Sequence, residues 1–182
     1  SLPDRDYYLK DDARTKKVQE AYKHYIVTLF TLTGTSEADA EKNASTIFTI
    51  ETALAKAQLS RVAMRDPNKT YNKLSVEDFD KSTTHLDWSK LMPLMKVNGQ
   101  DTVIVSNPEF YKAADALLAA TPVADWKVYL QWNILKGSAG ALSSPFVKAN
   151  FEYSSALSGQ KVQTPRNERM SGLVDGSLGE LL

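Results

Sequence analysis

Two histidines, His24 and His85, are the only imidazoles in the chain, so any metal, acid–base or triad chemistry that needs a ring nitrogen must use them. Neither has a companion at metal-ligand spacing. His24 falls in "AYKHYIV", and the Glu and second His of an HExxH zinc helix are missing there. A Ser–His–Asp triad converges in space rather than in sequence, so spacing leaves it open; the GxSxG elbow that often presents its serine is absent. "GSAGALSS" is rich in small residues but lacks the Walker lysine pattern and the GxGxxG spacing. Close helix packing accounts for Gly137 and Gly140 better than a phosphate cradle does. There is no cysteine, which excludes disulfides, thiolate catalysis and cysteine-based zinc sites.

Among the carboxylates, Glu51 stands out because "TIETALA" surrounds it with small and apolar residues. A charge in that setting either faces water or is paired, for example with Arg61 or Arg65. Asp4, Arg5 and Asp6 suggest a local polar knot near the start. Asn43-Ala44-Ser45 and Asn68-Lys69-Thr70 match the glycosylation sequon, a pattern short enough to arise by chance. From the residues alone, no catalytic and no metal-binding residue is assigned, and substrate-binding residues stay unassigned.

Composition narrows the class further. Lysine plus arginine total 22, as do aspartate plus glutamate, so the basic excess of a nucleic-acid binder is absent. The alternating charges from Lys10 to Lys23 read as a solvated helix face. No apolar run reaches the roughly 18 residues of a membrane span, so no membrane contact is expected from this segment.

The elements that would position these groups are helical. Val18, Tyr22, Tyr25 and Leu29, with Ala21, Ile26 and Phe30 beside them, repeat at three and four and predict one buried stripe. Gly34 offers a left-handed stop, and Ser36 with Asp39 starts the next helix. Its stripe runs through Ala40, Ala44, Ile47, Ile50, Leu54 and Ala57, and the helix is expected to continue to about Met64, where "RDPNKTYNKLS" breaks it. "VEDFD" and "HLDWSKLMPLM" predict short helices, the second interrupted near Pro93. Asn98-Gly99 marks a turn, followed by one short strand near 102–106 that needs a partner. Asn107-Pro108, Thr121-Pro122, Ser144-Pro145 and Thr164-Pro165 each pair a capping side chain with proline and predict helix starts near 108, 122, 145 and 165. Leu117, Leu118, Tyr129, Leu130 and Ile134 are expected to supply the apolar faces. The fold class is mainly α: a multi-helix lobe of about six or seven helices with that one strand.

The order of short motifs carries more. "LPDRDYYL" resembles the LPxRDYY segment of the neprilysin and endothelin-converting-enzyme-like zinc endopeptidases. "IETALA" at 50–55 is similar to that family's IExxLA helix, and "RDPNKTYNKLS" at 65–75 to its R-(N/D)-P…YN turn. "LDWSKLM" and "VIVSNPEFY" follow in register, then "TPVADWKVYLQWNIL", which resembles a YLxW segment. "FEYSSALSGQKVQTPRNERM" and "LVDGSLGELL" complete the series. Asn167 stands where the family usually has Trp, and Met170 where vertebrate members place a disulfide-forming Cys; together these suggest a bacterial member.

The resemblance implies a single helical lobe over residues 1–182, cut from the non-catalytic N-terminal half of a larger peptidase. The opening turn and the uncapped close both fit a piece of a longer chain. In the family the HExxH zinc helix lies in the C-terminal part, so zinc is expected there and no cofactor here. The lobe would wall an enclosed cavity shared with the C-terminal catalytic domain, admit peptide substrates and restrict larger ones. An extracytoplasmic address, periplasmic, secreted or membrane-anchored, is implied by the resemblance. Alone, the chain is expected to be inactive and to expose an apolar or weakly polar concave face. The alternative is a stand-alone, non-enzymatic interaction module, which would require Leu173, Leu178 and Leu181 to dock on the chain's own core. A third possibility is an independent hydrolase, which would depend on His24 or His85 if it uses imidazole.

Overall fold

Asp12 begins the first long helix by accepting hydrogen bonds from the backbone N–H groups of Arg14 and Thr15 at 3.1 and 3.0 Å. The computed structural model describes residues 1–97 and 99–179. Helix α1 (Asp6–Leu9) is one turn, and α2 (Ala13–Leu32) follows it. The expected stripe is buried: Val18, Tyr22, Tyr25, Ile26, Leu29 and Phe30 all face inward. Gly34 ends the helix at φ +91°, a backbone conformation open to glycine at little cost. Ser36 caps α3 (Glu37–Ala57), its Oγ accepting from the Asp39 N–H at 3.2 Å.

Helix α3 stops at Ala57 and does not reach Met64. Its last carbonyl is capped from far away: Asn107 Nδ2 donates to the Ala57 oxygen at 3.0 Å, while Asn107 Oδ1 accepts from Phe110 N–H at 3.2 Å. One side chain thus ends α3 and starts α7 (Pro108–Ala120). Beyond Gln58 the chain makes a 3₁₀ turn over Ala63–Arg65 and a four-residue helix α4 (Pro67–Thr70).

The strand near 102–106 is β2 (Thr102–Val105), and its partner is β1 (Asn72–Ser75), inside the stretch expected only to break a helix. They pair antiparallel, Asn72 opposite Val105 and Ser75 opposite Thr102. Between them lie α5 (Val76–Lys81) and α6 (Trp88–Leu94), with Pro93 in the last turn of α6. Of the Asn98-Gly99 turn, Asn98 lies outside the described residues. Gly99 has φ +71°.

The later helices are α8 (Val123–Ser138), α9 (Ser144–Ser158) and α10 (Arg166–Leu178), starting within a residue or so of the expected sites. At the four proline-marked starts the capping mechanism is narrower than expected: of those residues only Asn107 caps through its side chain, and α8, α9 and α10 have no side-chain cap bond. Seven helices have seven residues or more among the described residues, joined by three shorter ones. Helices α2, α3, α8 and α9 pack around the main core.

Two expectations about α8 fail. Leu130 and Ile134 are 60% and 69% exposed, whereas Trp132 between them is fully buried. Turning that helix the other way would put the largest apolar side chain in water. Gly137 has open space around its Cα, so close packing does not account for it; Gly140 is in ordinary contact with Asn150.

Candidate functional site

Glu51 is the buried charge of the main core, 4% exposed. Its Oε2 accepts the Tyr8 hydroxyl at 2.8 Å and the Tyr22 hydroxyl at 2.7 Å. Tyr22 Oη accepts in turn from Trp132 Nε1 at 3.0 Å, and Tyr8 Oη accepts the Leu2 N–H at 2.7 Å. Oε1 lies 3.6 Å from the Ser1 nitrogen. One carboxylate therefore ties the N-terminal segment to α2, α3 and α8. Three of the motifs quoted above meet at it: Tyr8 from "LPDRDYYL", Glu51 from "IETALA" and Trp132 from "YLQW".

Tyrosine rings close the surroundings. Tyr25 stacks on Tyr153 with centroids 4.8 Å apart, and Tyr22 and Tyr25 both meet Trp132 edge-on. Burial pushes the Tyr22 and Tyr8 hydroxyls above their ordinary range, and the Glu51 charge pushes the same way. Burial alone lifts Tyr25 to about 12. An unsolvated carboxylate held by two hydroxyls is an anchor, with no exposed face for a substrate. Neither arginine proposed for Glu51 reaches it by hydrogen bond or ion pair; Arg61 pairs instead with Asp4. Asp4 Oδ1 also accepts the Asp6 N–H at 2.8 Å, so the polar knot forms, with Arg61 rather than Arg5 as its cation.

The arrangement closest to catalytic geometry is His85 with Asp115. The ring Nδ1 lies 3.1 Å from Asp115 Oδ2. Asp115 is otherwise occupied: it accepts the backbone N–H groups of Thr84 at 3.0 Å, His85 at 2.7 Å and Leu86 at 2.8 Å. Burial of Asp115 favours the neutral acid, but those three amides and the imidazole together outweigh it and hold the carboxyl at about 2. Among the described residues no serine or threonine hydroxyl bonds the His85 ring, so the dyad lacks a nucleophile. It pins the loop before α6. Behind that loop Phe79, Trp88 and Tyr111 form a small aromatic cluster, Phe79 stacking on Trp88 at 4.5 Å.

His24 is exposed on α2, on the rim of a shallow groove between α2 and α3 that also carries Lys23, Glu37 and Glu41. Charges of both signs face that groove, which gives it no preference for one charged ligand. Among the described residues no group of three or more His, Asp or Glu side chains is placed to hold a metal ion. The described residues therefore do not fit a zinc site. Among the described residues no helix is long and apolar enough to cross a membrane.

Sequence comparison decides what the geometry leaves open. The profile of the N-terminal region of peptidase family M13 matches residues 1–182. The chain belongs to peptidase family M13. Rat endothelin-converting enzyme-like 1 is 30% identical over 165 residues, covering 87% of this chain and 21% of that protein. Human endothelin-converting enzyme 1 is 24% identical over the same length, again covering 21% of that protein. The zinc metalloprotease Zmp1 of Mycobacterium tuberculosis superposes in its open state with a TM-score of 0.89 at 27% identity, covering 98% of this chain and 28% of that one. In complex with an inhibitor the same protease gives 0.88. The chain thus spans between about a fifth and just over a quarter of the length of these M13 relatives, and the resemblance read from its motifs holds.

Tyr8, Tyr22 and Trp132 escaped the reading of candidate residues. Their one signal was that Tyr8 and Trp132 stand inside the motifs quoted for the resemblance; Tyr22 had only its place in a buried stripe.

Proposed function

We propose that this M13 chain is the non-catalytic helical lobe of a zinc-dependent metalloendopeptidase, a single domain over residues 1–182. In this reading it walls the cavity in which peptides are cleaved and limits what can enter. The observation that carries it is the 98% coverage by Zmp1 at a TM-score of 0.89, while this chain accounts for only 28% of that protease. The absence of any metal-ligand cluster among the described residues is in keeping with chemistry performed elsewhere in the protein. Zinc and its ligands then belong to a C-terminal catalytic domain, this lobe's partner, with peptides as the shared substrate. A bacterial enzyme fits the mycobacterial neighbours, and an extracytoplasmic address is carried over from the family resemblance alone.

The direct test compares the 182-residue chain with the longer product of its gene. The longer product should hydrolyse short peptides, lose that activity to a chelator and leave folded proteins intact; the 182-residue chain should do nothing. Hydrolysis by the 182-residue chain, or chelator-insensitive hydrolysis by the longer product, would refute the reading.

A further inference from the structure

Helix α10 buries no residue. Met170, Leu173, Val174 and Leu178 follow one another at three, one and four positions, which places them on one side of the helix. Ser177 on the same side satisfies its hydroxyl internally, donating to the Leu173 carbonyl at 2.8 Å. Glu168 and Asp175 occupy the opposite side, and Arg169 flanks the stripe beside Leu173. Leu173, Val174 and Leu178 are each about half-exposed, Met170 is partly covered, and none of the four is buried by the described residues.

Such a helix does not hold itself. Isolated helices shorter than about 12–15 residues are marginal in water even when rich in alanine. This one has 13 residues and two internal glycines, Gly172 and Gly176, each costing about 1 kcal/mol against alanine. Pro165 at its N-cap supplies no side-chain bond. Yet Zmp1 covers 98% of the chain, too much to omit a 13-residue helix, and in that protease the matched region sits within a chain more than three times as long.

We propose that α10 is a docking helix, and that its Met170–Leu173–Val174–Leu178 face is covered by an apolar groove in the zinc-bearing part of the same protein. This rests on the function proposed above. The helix is formed by being docked, and it fixes the lobe to its catalytic partner. The lobe's own core ends at α9.

Amide hydrogen exchange tests it in two proteins, the 182-residue chain and the longer gene product. In the 182-residue chain the α10 amides should exchange at nearly the rate of an unfolded peptide, while α2 and α3 stay protected. In the longer product, protection of α10 should rise about 100-fold or more, the mark of a docked helix. Leu173→Asp with Val174→Asp should abolish that gain and leave the melting temperature of the 182-residue chain unchanged. Strong protection of α10 in the 182-residue chain as a monomer would overturn the inference, as would its absence in the longer product. A concentration-dependent dimer of the 182-residue chain that the double variant dissolves would overturn it too, by making a second copy the occupant. If the gene encodes no further chain, the functional reading falls along with this one; an unprotected α10 in a zinc-active longer product removes this inference alone.

Discussion

Tyr22 gives its hydroxyl hydrogen to Glu51 Oε2 at 2.7 Å, joining α2 to α3 at the one carboxylate that, among the described residues, is buried in the main core. The Tyr22 oxygen in turn accepts Trp132 Nε1–H, so one hydroxyl serves a donor and an acceptor that both lie out of water. The hydroxyl is worth less for the strength of that bond than for Trp132 Nε1–H, which its loss would leave unpaired, while Glu51 Oε2 would keep Tyr8 alone.

Tyr22→Phe should therefore destabilise the chain by about 1–3 kcal/mol, the usual cost of stranding a buried polar group. Urea unfolding followed by circular dichroism measures it. Glu51→Gln, which keeps an acceptor for both hydroxyls, should cost less than Glu51→Ala. A neutral Tyr22→Phe would mean that water reaches Trp132 Nε1.

Alkaline pH should unfold the protein through the same tyrosines. Tyr8 and Tyr22 titrate above their ordinary 10.0 when folded, so they keep their protons where the unfolded chain has begun to lose its own. Their contribution is complete below pH 10 and falls as pH rises beyond it. Phenolate absorbance should show the buried tyrosines ionising together with loss of helix. Simple titration of all eight tyrosines near their ordinary value would contradict the burial described.

Asp115 works in the opposite direction. Its folded value of about 2 lies below the ordinary 3.8, so its contribution is present above that value and is lost as pH falls from 3.8 toward 2. Asp115→Asn should lower the melting temperature at neutral pH and flatten its dependence between pH 4 and 2. A parallel shift of the whole profile would show that the carboxylate charge plays no part in pinning residues 84–86.

The two faces of α8 should respond differently. Leu130→Lys and Ile134→Lys change exposed positions and should stay within about 0.5 kcal/mol of the parent. Trp132→Ala removes a fully buried side chain and should cost about 3–5 kcal/mol. Comparable losses at all three would contradict the orientation of α8.

That helix also shows where sequence reading runs out. The α2 stripe was legible because its apolar residues occupy one arc. On α8, Leu130 and Ile134 compete with Val128, Tyr129, Trp132 and Leu135, and periodicity alone does not say which arc meets the core. β1 went unread because "NKLS" carries no β-branched residue and finds its hydrogen bonds about thirty positions away. The end of α3 depends on Asn107, fifty residues on, and Glu51 on tyrosines 29 and 43 residues back. Burial of Glu51 was half-visible in its neighbours; its partners were not, because hydroxyls rather than guanidinium groups bond its Oε2. The motif order served where periodicity did not, since it records positions that meet only in three dimensions.

The measurement closest to the central claim is the sequence of the source gene past Leu182. The account predicts an HExxH motif a few hundred codons on, with a downstream glutamate to complete a zinc site. An open reading frame that closes at Leu182, or continues without that motif, would contradict it.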